Sequence, residues 1–164
     1  MTLTVDRLKE LFSYDQDKGM FYRLIATNPR AQIGPVHGTK NSAGYPRIFI
    51  DGRSYLAHRL AWFFVHGRWP TADLDHINGD QADYRFSNLR EATRSENMAN
   101  ARRGRQNTSG MKGVSFNKAG GKWVAYVQMN GVHHHLGAFS DIVDAASARI
   151  SAAVDLHGEF ARVQ

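Results

Sequence analysis

The sequence predicts an α+β protein built in two parts, and three observations predict it. Runs at 114–116, 123–128 and 133–136 read as strands, are parted by turns at 117–121 and Asn130-Gly131, and precede an amphipathic segment behind Asp141. Together they read as a three-stranded antiparallel sheet packed on one helix. Further up the chain, two short extended pieces at 74–77 and 88–90 run into Thr93-x-x-Glu96, a capping box. That unit reads strand, loop, strand, helix. Between the two lies 102–110, basic, Gly/Ser-bearing and without a large apolar residue, the composition of an interdomain linker.

In chain order, Val5, Leu8, Leu11 and Phe12 keep helical spacing behind Thr4, an N-cap, with Asp6 in the first turn; this helix is expected to end by Ser13. Residues 15–19 read as a turn, since the later ligands of a calcium loop are missing, and 20–24 as a strand. From 28 to 44 Gly, Pro, Asn and Thr dominate, predicting a long irregular connection. Residues 45–50 alternate, Asp51-Gly52 is a hairpin turn and 53–55 begin the return strand, so the N-terminal part is rich in strands. Residues 56–66 are apolar nearly all round and close on Gly67, which predicts a buried helix. The last helix is expected from Asp141 to His157-Gly158.

At 164 residues, 42% hydrophobic and 22% charged, the chain is able to bury a core. Its net charge of +6 favours a polyanionic partner. The absence of cysteine excludes disulfides, thiolate metal sites and thiol nucleophiles. The N-terminus lacks the blocks of a signal peptide, and the longest apolar run is too short to cross a bilayer. The expectation is a cytoplasmic protein with no membrane partner and no small-molecule cofactor; oligomeric state is not legible.

The chemistry concentrates in Leu74-Asp75-His76-Ile77-Asn78-Gly79-Asp80, where a carboxylate stands beside an imidazole ahead of a turn dipeptide. Hydrolysing a phosphodiester needs an activated water, a grip on the phosphate and stabilisation of the leaving oxygen. Asp75 is a hard anionic ligand suited to magnesium or manganese. His76 points to the opposite side of an extended strand and suits the general base. Asn88 is placed to tie down the loop between the strands, and Asn97, on the first turn of the capped helix, to act as a second ligand. Singly, each residue also reads as a turn former, a solvated strand residue or polar decoration. The ordered set is far more specific than its parts.

These residues, with His58-Arg59-Leu60-Ala61, Arg85, Ser87-Asn88-Leu89-Arg90 and Ala92-Thr93-Arg94-Ser95-Glu96-Asn97, resemble the HNH endonucleases, nearest the free-standing homing enzymes of bacteriophages and bacteria. The resemblance implies a ββα-metal (His-Me finger) unit with catalytic His76 and Asn88 and with Asp75 and Asn97 on one divalent ion, Mg or Mn. It implies no structural zinc, and products ending in a 5′-phosphate and a 3′-hydroxyl. One departure is Tyr84 in Asp83-Tyr84-Arg85, where relatives commonly carry Asn before the Arg. His58 lies on the buried helix, so a packing or hydrogen-bonding role is expected of it.

Gly113-Val114-Ser115-Phe116, Gly121-Lys122-Trp123, His135-Leu136-Gly137-Ala138-Phe139, Asp144-Ala145-Ala146 and His157-Gly158-Glu159-Phe160-Ala161 are similar to the plant Apetala/ethylene-response-type DNA-binding domain. That resemblance implies a sheet laid in the major groove of double-stranded DNA, with Lys112, Ser115, Asn117, Lys122, Tyr126, Gln128, His133 and His135 facing it. Arg102, Arg103 and Arg105 are expected to track phosphates, joined by Arg94. The expected division is 1–101 for the N-terminal extension and nuclease (core about 55–101), 102–110 for the linker and 111–164 for the DNA-binding domain. The combined expectation is a metal-dependent DNA endonuclease of a bacterial or phage-infected cell. Its rivals are a sequence-specific DNA-binding protein with an inactive nuclease unit, and an RNA-directed or nonspecific nuclease.

Overall fold

The computed structural model describes residues 2–104 and 106–163; Arg105 lies outside them. The architecture is mixed α/β with several small sheets. Contacts divide the chain into two units, Met1–Glu91 and Ala92–Gln164, and no described helix is long and apolar enough to cross a membrane.

The first unit opens with α1 (Val5–Leu11), where the Thr4 side chain accepts from the Arg7 amide at 3.2 Å and Leu8 and Leu11 are buried. The helix ends at Leu11, two residues before Ser13, and the chain forms β1 from Phe12 (Phe12–Asp15). Phe12 and Tyr14 face inward there while Ser13 faces solvent, and this four-residue alternation is too short to stand out beside the helical pattern. β1 pairs with β2 (Met20–Arg23), and β2 with β3 (Gly34–Val36). The stretch expected to be irregular therefore carries two short strands, β3 and β4 (Thr39–Lys40). Pro35 is tolerated because β3 is an edge strand.

β4 pairs with β5 (Pro46–Ile50), which turns through Asp51-Gly52 into β6 (Arg53–Leu56). Both turn residues take positive φ, 47° and 76°, the twist a two-residue hairpin requires. α2 (Ala57–His66) ends on Gly67 in the left-handed region and buries Leu60, Ala61, Trp62 and Phe63. Around it Leu8, Leu11, Phe12, Phe21 and Ile48 form a core of large, nearly fully buried side chains; truncating Phe21 would cost about 3–5 kcal/mol. β7 (Asp73–His76) and β8 (Leu89–Ala92) then make a two-stranded sheet.

In the second unit α3 (Arg94–Asn100) starts on the predicted capping box, the Thr93 hydroxyl accepting from the Glu96 amide at 3.3 Å and the Glu96 carboxylate from the Thr93 amide at 2.7 Å. Such a cap is worth about 1 kcal/mol. β9 (Val114–Asn117), β10 (Lys122–Met129) and β11 (Val132–Phe139) form an antiparallel sheet ordered β11-β10-β9. α4 (Ile142–His157), capped by Asp141, packs on it. Small residues make that packing close: Val114, Ala125 and Ala145 form the core, flanked by Trp123, Leu136, Phe139 and Ile142.

Composition placed a linker after residue 101, yet α3 groups with the C-terminal sheet. Specific bonds draw it there. Lys112 Nζ donates to the carbonyls of Met98, Ala99 and Ala101 at 2.7–2.9 Å, and the Asn130 amide donates to the Ser95 hydroxyl at 2.9 Å.

Candidate functional site

Strand β7 carries Asp75 and His76, which are 4% and 5% exposed. Burying a carboxylate calls for a counter-charge, and Arg90 supplies it from β8: its Nε donates to Asp75 Oδ2 at 2.9 Å, and Nη2 lies at the same distance. The His76 ring meets His58 at 4.9 Å between centroids, nearly edge-on, and Tyr45 at 5.9 Å. Burial pulls the His76 imidazole below its ordinary value against the opposing pull of Asp75, Asp80 and Asp83. It acts more strongly on His58, pushed down to about 3 with His76 and Arg59 adding repulsion. His58 is neutral at any working pH and packs against the face of the site.

The turn after β7 is held from the far strand. Asn88 Oδ1 accepts from the Asn78 amide at 3.0 Å, its Nδ2 donates to Asn78 Oδ1 and to the Asp83 carbonyl, and its own carbonyl accepts from the Ile77 amide. Asp83 closes the loop, accepting from Asn78 Nδ2 at 2.7 Å and pairing with Arg85 at 2.6 Å; that guanidinium holds the Asp83 carboxyl below its usual range. The Tyr84 departure has a packing reason. Its ring is buried beside Phe21, and its carbonyl accepts from the Tyr14 hydroxyl at 2.5 Å. Gly19, at φ +62°, allows the β1–β2 turn to approach the Tyr84–Arg85 backbone so closely that any Cβ there would collide with it. The N-terminal strands thus seat the loop that follows the Asp-His pair.

In the second unit the sheet, α3 and the segment after it enclose an open cavity of about 1010 Å³. Of the residues expected to face DNA, Arg94, Arg102, Arg103, Lys112, Ser115, Tyr126, Gln128 and His133 line it. Asn117, Lys122 and His135 do not. Asn117 Oδ1 is engaged by the Ala119 and Gly120 amides of its own turn. Lys112 is held by its three carbonyls, and burial pushes its ammonium down to about 8, Arg149 and Arg162 adding repulsion. Asn97 lies on α3, part-buried.

Residues 55–99 match the HNH endonuclease family, a stretch that includes Asp75, His76, Asn88 and Asn97. Over 106 residues the chain is 32% identical to Protein 3.8 of Escherichia phage T7, covering 64% of this chain and 87% of that protein. The chain belongs to the family of T7 Protein 3.8 and carries an HNH endonuclease domain. No solved structure matches it.

HNH nucleases work with a divalent metal. Among the described residues no group of three His, Cys, Asp or Glu side chains is placed to hold one. Asp75 is a single hard oxygen donor, and one carboxylate completed by water and substrate phosphate is a donor set that fits magnesium or manganese. Such an ion would share Asp75 with Arg90. Sequence reasoning missed that arginine as a partner of the site, because only strand pairing brings a residue fifteen positions on beside Asp75. It also missed Arg149 and His157 at the cavity of the second unit.

Proposed function

We propose that this HNH protein is a metal-dependent endonuclease acting on double-stranded DNA, with the second unit holding the target. The observation that carries the reading is the buried Asp75-His76 pair whose following turn is clamped by Asn88. His76 takes a proton from water, the water oxygen forms a bond to phosphorus, and the bond to the 3′-oxygen breaks. The products are a 5′-phosphate and, once the leaving oxygen is protonated, a 3′-hydroxyl. A neutral imidazole is the form that accepts a proton, and desolvation against Tyr45 and His58 favours it. Asn88 acts through the backbone, keeping β7 and its turn in one geometry. Asp75 and, by its place in the motif, Asn97 are the ligands in this reading, and a bound Mg or Mn ion supplies charge stabilisation at the phosphate and leaving oxygen.

The experiment is supercoiled plasmid with the full chain under magnesium or manganese titration, scoring nicked against linear product. Cleavage that needs the metal and vanishes in His76→Ala supports the reading. The Arg90 cation on Asp75 favours one rival, a DNA-binding protein with a silent nuclease unit. Duplex binding without cleavage at any metal concentration would select it.

A further inference from the structure

The sheet residues that face the cavity of the second unit are open to solvent. Tyr126 is 37% exposed, and Gln128 and His133 are exposed beside it. Side chains two apart on a strand share a face, and Gln128 pairs with His133 across β10 and β11. The Tyr126 and His133 rings lie 5.6 Å apart, tilted by 48°. From the other side α3 and the residues after it line the same cavity. They bring Met98, itself 50% exposed, and the exposed cations Arg94, Arg102 and Arg103. No carboxylate is among the described residues that line it.

That second wall changes what the sheet can hold. A duplex groove is read by an element that enters it, whereas these sheet residues sit inside a concavity. Its volume of about 1010 Å³ is at the upper end of the roughly 300–1,000 Å³ of small-molecule sites. There is room for about one or two nucleotides and too little for paired helix. Aromatic rings in a cationic groove are the combination that holds single strands, bases stacking on the rings while the backbone follows the charge. We propose that the cavity takes unpaired nucleotides of a DNA strand, a base stacking on Tyr126 beside His133 and the flanking phosphates meeting Arg94, Arg102 and Arg103. This rests on the reading of the second unit as the DNA-holding part, and it gives that unit a preference for places where the target duplex is open.

The test uses the full chain without metal, so that nothing is cut. Two fluorescent duplexes are compared, one perfectly paired and one with an unpaired bulge, together with short single strands of DNA and RNA. The bulged duplex should bind about tenfold tighter than the perfect one, because its nucleotides are already out of the stack. A fluorescent purine analogue in the bulge should be quenched as it stacks on the protein. Tyr126→Ala should remove the preference, loss of one stacking ring being worth about tenfold, and Tyr126→Phe should keep it. Equal binding of the two duplexes by the wild type, an unquenched bulge, or a preference that survives in Tyr126→Ala overturns the nucleotide site and leaves the DNA-holding reading standing. A chain that binds no DNA in any form removes that reading as well. Tighter binding of the RNA strand than of the matching DNA strand overturns the assignment to DNA.

Discussion

In the first unit arginines lie against carboxylates: Arg90 on Asp75, Arg85 on Asp83, Arg68 on Glu91 and Arg7 on Asp51. In the second, Arg149 and Lys112 border a cavity that no described carboxylate lines. The cores differ in the same sense. The first is built from Leu, Phe, Ile and Trp side chains, the second from one valine and two alanines flanked by part-buried residues. Of the four pairs in the first unit the Arg90–Asp75 pair is the one enclosed on both sides, and it fixes the position of its neighbours. Those two cations of the second unit are instead held by backbone carbonyls, Lys112 by those of Met98, Ala99 and Ala101 and Arg149 by that of Arg162. Charge is thus balanced by carboxylates in the first unit and by backbone dipoles around the cavity of the second.

His76→Ala should lower plasmid cleavage about 10²–10⁴-fold with duplex binding retained; comparable turnover would remove His76 as the base. Arg90→Met should destabilise the first unit by about 3–5 kcal/mol, because Asp75 would stay buried without its cation. Urea unfolding checks it, and an unchanged midpoint would mean the pair is not structural. Asn88→Ala, which strips the turn of its side-chain clamp, should cost about 1–3 kcal/mol by the same assay and slow cleavage. For the second unit, Arg102→Ala with Arg103→Ala should reduce the salt slope of duplex binding by about two without moving the urea midpoint.

The smallest effect is one of pH. Arg68 and the Thr71 amide hold the Glu91 carboxyl down to about 2. A folded value below the unfolded one means stabilisation that is present above the ordinary carboxylate range and lost as pH falls through about 2. The difference in melting temperature between wild type and Glu91→Gln should therefore shrink from pH 5 downward. A constant gap would show that the pair adds nothing through its charge.

Much of the fold was legible where one short-range rule governs it. The Thr93–Glu96 box, the Asp51-Gly52 and Asn130-Gly131 turns and the Gly67 cap all stand where the residues place them, because each depends on neighbours within four positions. β1, β3 and β4 were not legible, being too short for a period to show and formed only because partners exist across the sheet. The boundary after Glu91 was hidden for a similar reason. Basic, apolar-poor residues 102–110 look like a linker in composition, while hydrogen bonds from Lys112 and Asn130 gather α3 to the sheet.

By itself the sequence determined the chemistry on offer: an Asp-His pair with two ordered asparagines, a cationic balance, no thiols, and the local turns and caps. Only the tertiary structure decided what each group stands against. It set Arg90 on Asp75 and His58 on His76, seated Tyr84 under the loop, and buried Arg149 Nε without a hydrogen-bond partner among the described residues. Ionic and packing partners are chosen by distance in space, and residues far apart in the chain carry no mark of that distance until the strands pair.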